Sequence, residues 1–190
     1  MATPFFLPCF LVGDSMKKSK TKDLAAVSLC AALMCICSWI QLPSAVPFTL
    51  QTFAVFFIAM TLSTKNALAA TAVYIFLGIV GLPVFSGFQG GVGALLGATG
   101  GFVLGFIPSV IVVSLLSNKF TKGFLFSVVC CLPGLVICYV SGLLWYMFVY
   151  GGGNFKSAFL ICVLPFIIPD VLKIILAATV SGRVAHIVNK

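Results

Sequence analysis

Long apolar runs joined by short polar or proline-broken segments dominate this sequence. A helix needs about 20 apolar residues to cross a hydrocarbon core of ~30 Å. The first such run covers residues 24–42, where Pro43 and Pro47 break it. A shorter second run covers residues 48–62 and a third covers 66–82, with the polar turn Ser63, Thr64, Lys65 and Asn66 between them. A fourth spans residues 99–116 and a fifth 123–150, with a kink expected at Pro133 and Gly134.

The last run, residues 157–180, is interrupted by Pro165 and Pro169. It reads either as one kinked helix or as a short interfacial segment followed by a helix over residues 169–187. The second reading is preferred, because proline suits a first helical turn and Asp170 would then lie at the positive end of the helix dipole. The pattern predicts an all-α membrane protein of six transmembrane helices. Residues 1–22 form a cytoplasmic N-terminal segment, and residues 23–190 form one membrane domain. There is no internal repeat and no linker long enough to separate domains.

Composition agrees with this pattern. Of 190 residues, 62% are hydrophobic and 7% charged, too few charges to give a water-soluble domain its polar shell. The net charge of +8 is read by position, because Lys and Arg set membrane orientation. Lys17, Lys18, Lys20, Lys22, Lys65, Lys119, Lys122, Arg183 and Lys190 fall on one side of the predicted helices, against Lys156 on the other, which puts both termini in the cytoplasm. Trp39, Trp145, Tyr146 and Tyr150 fall near the predicted outer helix ends, as an aromatic belt would. Nucleic acid is not expected as a partner.

Residues 1–12 are apolar, too short to span, and lack the basic opening of a secretory signal, so residues 1–15 are expected to be dispensable. All eight cysteines except Cys9 sit within apolar runs, where small buried packing is their expected role. Without paired C-x-x-C spacing, and with His186 as the lone histidine, no metal site or cofactor is expected.

Four constellations could carry chemistry. Residues 78–105 hold ten of the eighteen glycines, and the middle of this stretch falls in an outer loop. Glycine there lets backbone approach a ligand closely, whereas for the glycines of residues 97–105 close helix packing is the preferred reading. No P-loop spacing occurs, so energy for uphill transport must come from a partner or a gradient.

Asp170 and Lys173 are the acid and base set inside the apolar runs, three residues apart and therefore on one helix face. Either member costs about 2.5–3.5 kcal/mol at mid-membrane, which favours a substrate or ion path over a self-neutralising structural pair. Thr49 can cap the second helix, and Gln51 can present an amide to the bundle or simply be buried against a neighbour. Ser28 and Ala32 form a small-x-x-x-small step on the first helix, suited to close helix contact within this chain or with another.

Taken together, VPFTLQT at residues 46–52, GLPVF from Gly81, GGVGALLGATGG ending at Gly101 and PFIIPDVLK at residues 165–173 resemble the BioY family. These are the biotin-specific S components of energy-coupling factor (ECF) transporters. The resemblance covers nearly everything from Asp23 onward. It implies a six-helix subunit that captures biotin from outside and delivers it with a transmembrane T component and two ATPase subunits.

By that resemblance Asp170 and Lys173 match the family's last-helix pair, and residues 86–93 match its loop before the fourth helix. That loop brings in Phe85, Ser86, Gly87, Gln89, Gly90 and Gly91 as substrate-binding candidates beside Thr49 and Gln51. Ser28 and Ala32 match the family's A-x-x-x-A contact with the T component, with Ser in place of the first Ala. Gln89 stands where the family often has Asn or Ser.

Biotin offers ureido N–H donors, a carbonyl, an apolar ring and a carboxylate, so its pocket needs an acceptor, a donor and apolar walls. Asp170 would accept from the ureido N–H groups, and Lys173 would reach either the ureido carbonyl or the carboxylate. Phe85, Phe88 and Phe102 are candidate walls. The alternatives are an S component for another vitamin, a membrane enzyme and a self-sufficient carrier. The enzyme would need a Ser–His or paired-Asp arrangement that the chain does not offer, and the carrier would be expected to show an inverted repeat.

Overall fold

The structure, a computed structural model, describes residues 20–42, 46–120, 123–151 and 153–188, with side chains described to residue 184 and not at residue 120. The expectations for residues 1–15 and for Lys17, Lys18, Lys122 and Lys190, and the His186 side chain, lie outside what is described. Helix α1 spans Lys20–Trp39 and is followed by a two-stranded antiparallel ribbon, β1 (Gln41–Leu42) against β2 (Phe48–Thr49). Then come α2 (Gln51–Thr61), α3 (Thr64–Val80), a 3-10 turn at Ser86–Phe88 and the single turn α4 (Val92–Leu95). Helix α5 is Gly100–Phe120, α6 is Phe124–Phe148 and α7 is Phe155–Cys162. A second 3-10 turn, Leu164–Phe166, leads into α8 (Ile167–Val188).

The last apolar run is thus a short helix, a turn and a long helix that carries Pro169 in its first turn. Helix α6 runs continuously through Pro133. Two expectations are corrected at the second run. Residues 48 and 49 are strand, so the helix begins only at Gln51 and the bundle carries a small ribbon that the apolar pattern did not predict. Its N-cap is Leu50, not Thr49; the Thr49 hydroxyl instead accepts from the Gln51 N–H at 3.4 Å.

Among the described residues, four stretches are long and apolar enough to cross a membrane: Lys20–Trp39, Gly100–Lys119, Phe124–Phe148 and Phe155–Val184. Helices α2 and α3 are apolar but shorter, at 11 and 17 residues. Shortness suits α2, which lies at the centre and packs on α8, α5 and α1. Its Ala54, Val55, Phe56, Ile58 and Ala59 are fully buried, so neighbouring helices enclose it and its backbone ends need not meet lipid.

Helices α5 and α6 make the most extensive contact in the bundle, and glycine is the cause. A Cβ at Gly101 would collide with the Trp145 side chain, one at Gly105 with Ser141, and one at Gly142 with the Phe102 ring. Absent side chains let the two backbones close up and restore dispersion contacts that leucines would hold apart. The exposed surface is rich in Leu, Ile, Val and Phe, among them Leu29, Phe76, Leu125, Val136 and Ile168, as lipid contact demands. The protein is an integral membrane protein.

Side-chain bonds define the two ends of the bundle. At one end Trp39 donates to the Pro83 carbonyl at 2.8 Å, Trp145 donates to the Gly97 carbonyl at 3.2 Å, and Phe48 stacks on Phe166 at 4.1 Å. The connections after α1, after α3 and after α7 therefore meet there. At the other end Asn66 bonds Asp23, and Ser114 bonds Thr64.

Candidate functional site

Where those three connections meet, a partly open cavity of about 480 Å³, counting its mouth, penetrates the bundle. Its apolar walls are Val46 and Pro47 from the ribbon, Phe102 and Phe106 from α5, and Phe166 from the turn before α8. Phe166 is held between Phe48 and Phe102, and the ring centroids of Phe102 and Phe166 lie 6.4 Å apart. The polar residues of its lining are Thr49, Gln51, Thr52, Ser86, Thr99, Tyr139, Asp170 and Lys173.

Asp170 is the focus of this wall. It is 2% exposed, and its carboxylate accepts from three helices. Lys173, one turn along α8, bonds Oδ1 at 2.8 Å. The Thr52 hydroxyl of α2 donates to the same oxygen at 2.9 Å, and the Tyr139 hydroxyl of α6 donates to Oδ2 at 2.8 Å. A buried carboxylate is tolerable only with such partners. Both members of the pair line the cavity.

Gln51 forms a second polar point. Its amide donates to the Tyr74 hydroxyl, and its carbonyl accepts from Thr49 at 3.1 Å. Both ends of the amide are thereby fixed, and Gln51 keeps capacity for one further partner on each.

Of the candidates from sequence, Thr49, Gln51, Ser86, Asp170, Lys173 and Phe102 line this cavity. Phe85, Gly87, Gln89, Gly90 and Gly91 do not; they build the loop beside it. The Phe85 ring is buried edge-on against Tyr74 and occupies the space that Gly78 leaves open. Phe85 and Gln89 pair across the loop, with the Phe85 N–H donating to the Gln89 carbonyl at 2.9 Å. Gly90 lies so near the Leu82 and Gly81 carbonyls that any side chain would strike them. Phe88, expected as a wall, is exposed and stacks on Trp39. Ser28 and Ala32 lie on the outer surface of α1 beside exposed Ala25 and Leu29.

Thr52, Tyr139, Phe106 and Phe166 were not singled out from sequence. Thr52, Tyr139 and Phe106 meet Asp170's cavity only through the packing of α2, α6 and α5 with α8, whereas Phe166, four residues before Asp170, reaches it from the turn that leads into α8.

The family model described as "BioY family" matches residues 14–190. The chain belongs to the BioY family. It is 35% identical over 163 residues to the biotin transporter BioY of Thermotoga maritima, covering 85% of this chain and 95% of that one. It is also 31% identical over 172 residues to the biotin transporter BioY2 of Lactococcus lactis, covering 88% and 91% of the two chains. Its fold is similar to the crystal structure of an S-component for biotin from an ECF-type ABC transporter, with a TM-score of 0.81 at 21% identity over 89% of this chain and 93% of that one. The architecture of this BioY member is therefore an ECF S-component fold, an all-α bundle with four clear membrane spans.

Proposed function

We propose that this chain is the biotin-binding S component of an ECF-type importer, with its cavity as the biotin site. The observation that carries this reading is the Asp170–Lys173 pair opening onto an apolar cavity in a BioY chain. Asp170 accepts from the ureido N–H groups, and the phenylalanine walls hold the apolar rings. Lys173 Nζ lies 2.8 Å from Asp170 Oδ1, so the ligand group that meets Asp170 also lies within reach of Lys173, which makes the adjoining ureido carbonyl its partner. Thr49, Gln51 and Ser86 complete the polar wall, and the loop holding Phe85, Gly87, Gln89, Gly90 and Gly91 closes beside it.

The chain crosses the membrane six times, with α2 and α3 as short passes and both termini in the cytoplasm. Support comes from the bias of nine basic residues against one, and from the cavity opening at the end where Lys156 lies in sequence. Ser28 and Ala32, small and outward-facing on α1, suit close contact with a T component, and two ATPase subunits supply the energy.

The test is equilibrium binding of labelled biotin to the purified chain, beside uptake in cells with and without a T component and ATPases. Binding by the chain alone and accumulation only with partners is the expected result. Failure to bind biotin while another vitamin binds would overturn the assignment.

A further inference from the structure

The Asp170 carboxylate has room for about four donors and already holds three, from Lys173, Thr52 and Tyr139. These donors differ in kind. Thr52 and Tyr139 carry hydroxyls on side chains with few rotatable bonds, anchored on helices other than Asp170's own. Lys173 carries its ammonium on a flexible four-carbon stem and is the more exposed member of its ion pair, at 11% against 2%.

We propose that Thr52 and Tyr139 are positioning residues for ligand binding. They hold the Asp170 carboxylate in one orientation, so that the ligand takes the last acceptor site on Oδ2 and draws Lys173 from Oδ1 onto its own acceptor. The inference rests on the biotin reading above and deepens it.

Two features require such a frame. When Lys173 turns to the ligand, a buried carboxylate loses its one cation, and the two hydroxyls keep it from being left bare in an apolar wall. Donors from α2 and α6 also fix the plane of the carboxylate, so the free lone pair points into the cavity; a carboxylate held only by Lys173 could rotate about its own side-chain bonds. Thr52 and Tyr139 both line the cavity, which puts their bonds to Asp170 at the surface the ligand meets.

The experiment measures equilibrium affinity of the purified full-length chain for two ligands. One is biotin, and the other is an isosteric analogue in which methylene groups replace both ureido N–H groups. Tyr139→Phe and Thr52→Val are each expected to weaken biotin binding about tenfold, in line with loss of a hydrogen bond to a charged group. Affinity for the analogue should fall less, since its carbonyl still draws Lys173 from Asp170 but it has no N–H to meet the oriented carboxylate. Thr52→Ser, which keeps the hydroxyl, should restore biotin affinity. In an Asp170→Asn background, Tyr139→Phe should cost nothing further.

Equal weakening for both ligands, or an undiminished effect of Tyr139→Phe beside Asp170→Asn, would mean that the two hydroxyls serve packing alone, and the proposal would fall while biotin binding stood. Absence of biotin binding by the wild-type chain would remove both.

Discussion

Asp170 gathers donors from its own helix and from two others, which makes it the most interconnected side chain of the cavity. Asp170→Asn removes the charge but keeps the shape, and it should weaken biotin binding by about tenfold or more while leaving insertion intact. Isothermal titration of the purified variant measures this. Lys173→Ala discriminates the two ends of the ligand. If Lys173 serves the ureido carbonyl, biotin and its neutral tail amide should lose affinity in equal proportion in the variant; a loss confined to biotin would assign Lys173 to the carboxylate.

The Asp170–Lys173 relation is legible in sequence, because residues three apart on a helix share a face and ionisable groups are rare in apolar runs. Its hydroxyl partners are not legible. Thr52 lies 118 residues away from Asp170, and threonine and tyrosine are ordinary in any helix, so only tertiary packing brings them together.

At the scale of elements, α5 and α6 depend on glycine where they cross. Gly101→Leu or Gly142→Leu would force the helices apart and should cost about 1–3 kcal/mol, as overpacking does. Gly182→Ala, with open space around it, should cost nothing measurable. Thermal unfolding in detergent, read on all three variants, checks the contrast.

Helices of this length announce themselves in sequence by continuous apolar character, and the observed bounds of α5 and α6 fall near those expected. The ribbon does not announce itself. Each strand has two residues, too few for an alternating pattern to form. Its Phe48 packs on Phe166, which lies more than a hundred residues further along the chain. The loop over residues 85–91 was legible as glycine-rich but not in its roles. Gly90 is required by nearby carbonyls and Phe85 by the gap at Gly78, so part of that composition serves the loop's own packing.

For the whole molecule, binding and delivery should separate. Ser28→Trp or Ala32→Trp adds bulk to the outer surface of α1, a helix that contributes no residue to the cavity lining. Biotin affinity of the isolated chain should stay within about twofold of wild type, because distant sites behave independently. Partner-dependent uptake should fall sharply. If uptake persisted in both variants, the T component would have to grip another surface.

Tryptophan occurs twice in this chain, and both indoles reach into the connection between α3 and α5. Trp39 also lies against the Phe88 ring at 5.2 Å, in the loop that carries the cavity residue Ser86. The chain thus carries its own optical reporter. Any shift of that loop as the cavity fills changes what surrounds an indole, so intrinsic emission should change on titration with biotin, and Phe88→Ala should dull the signal without abolishing binding.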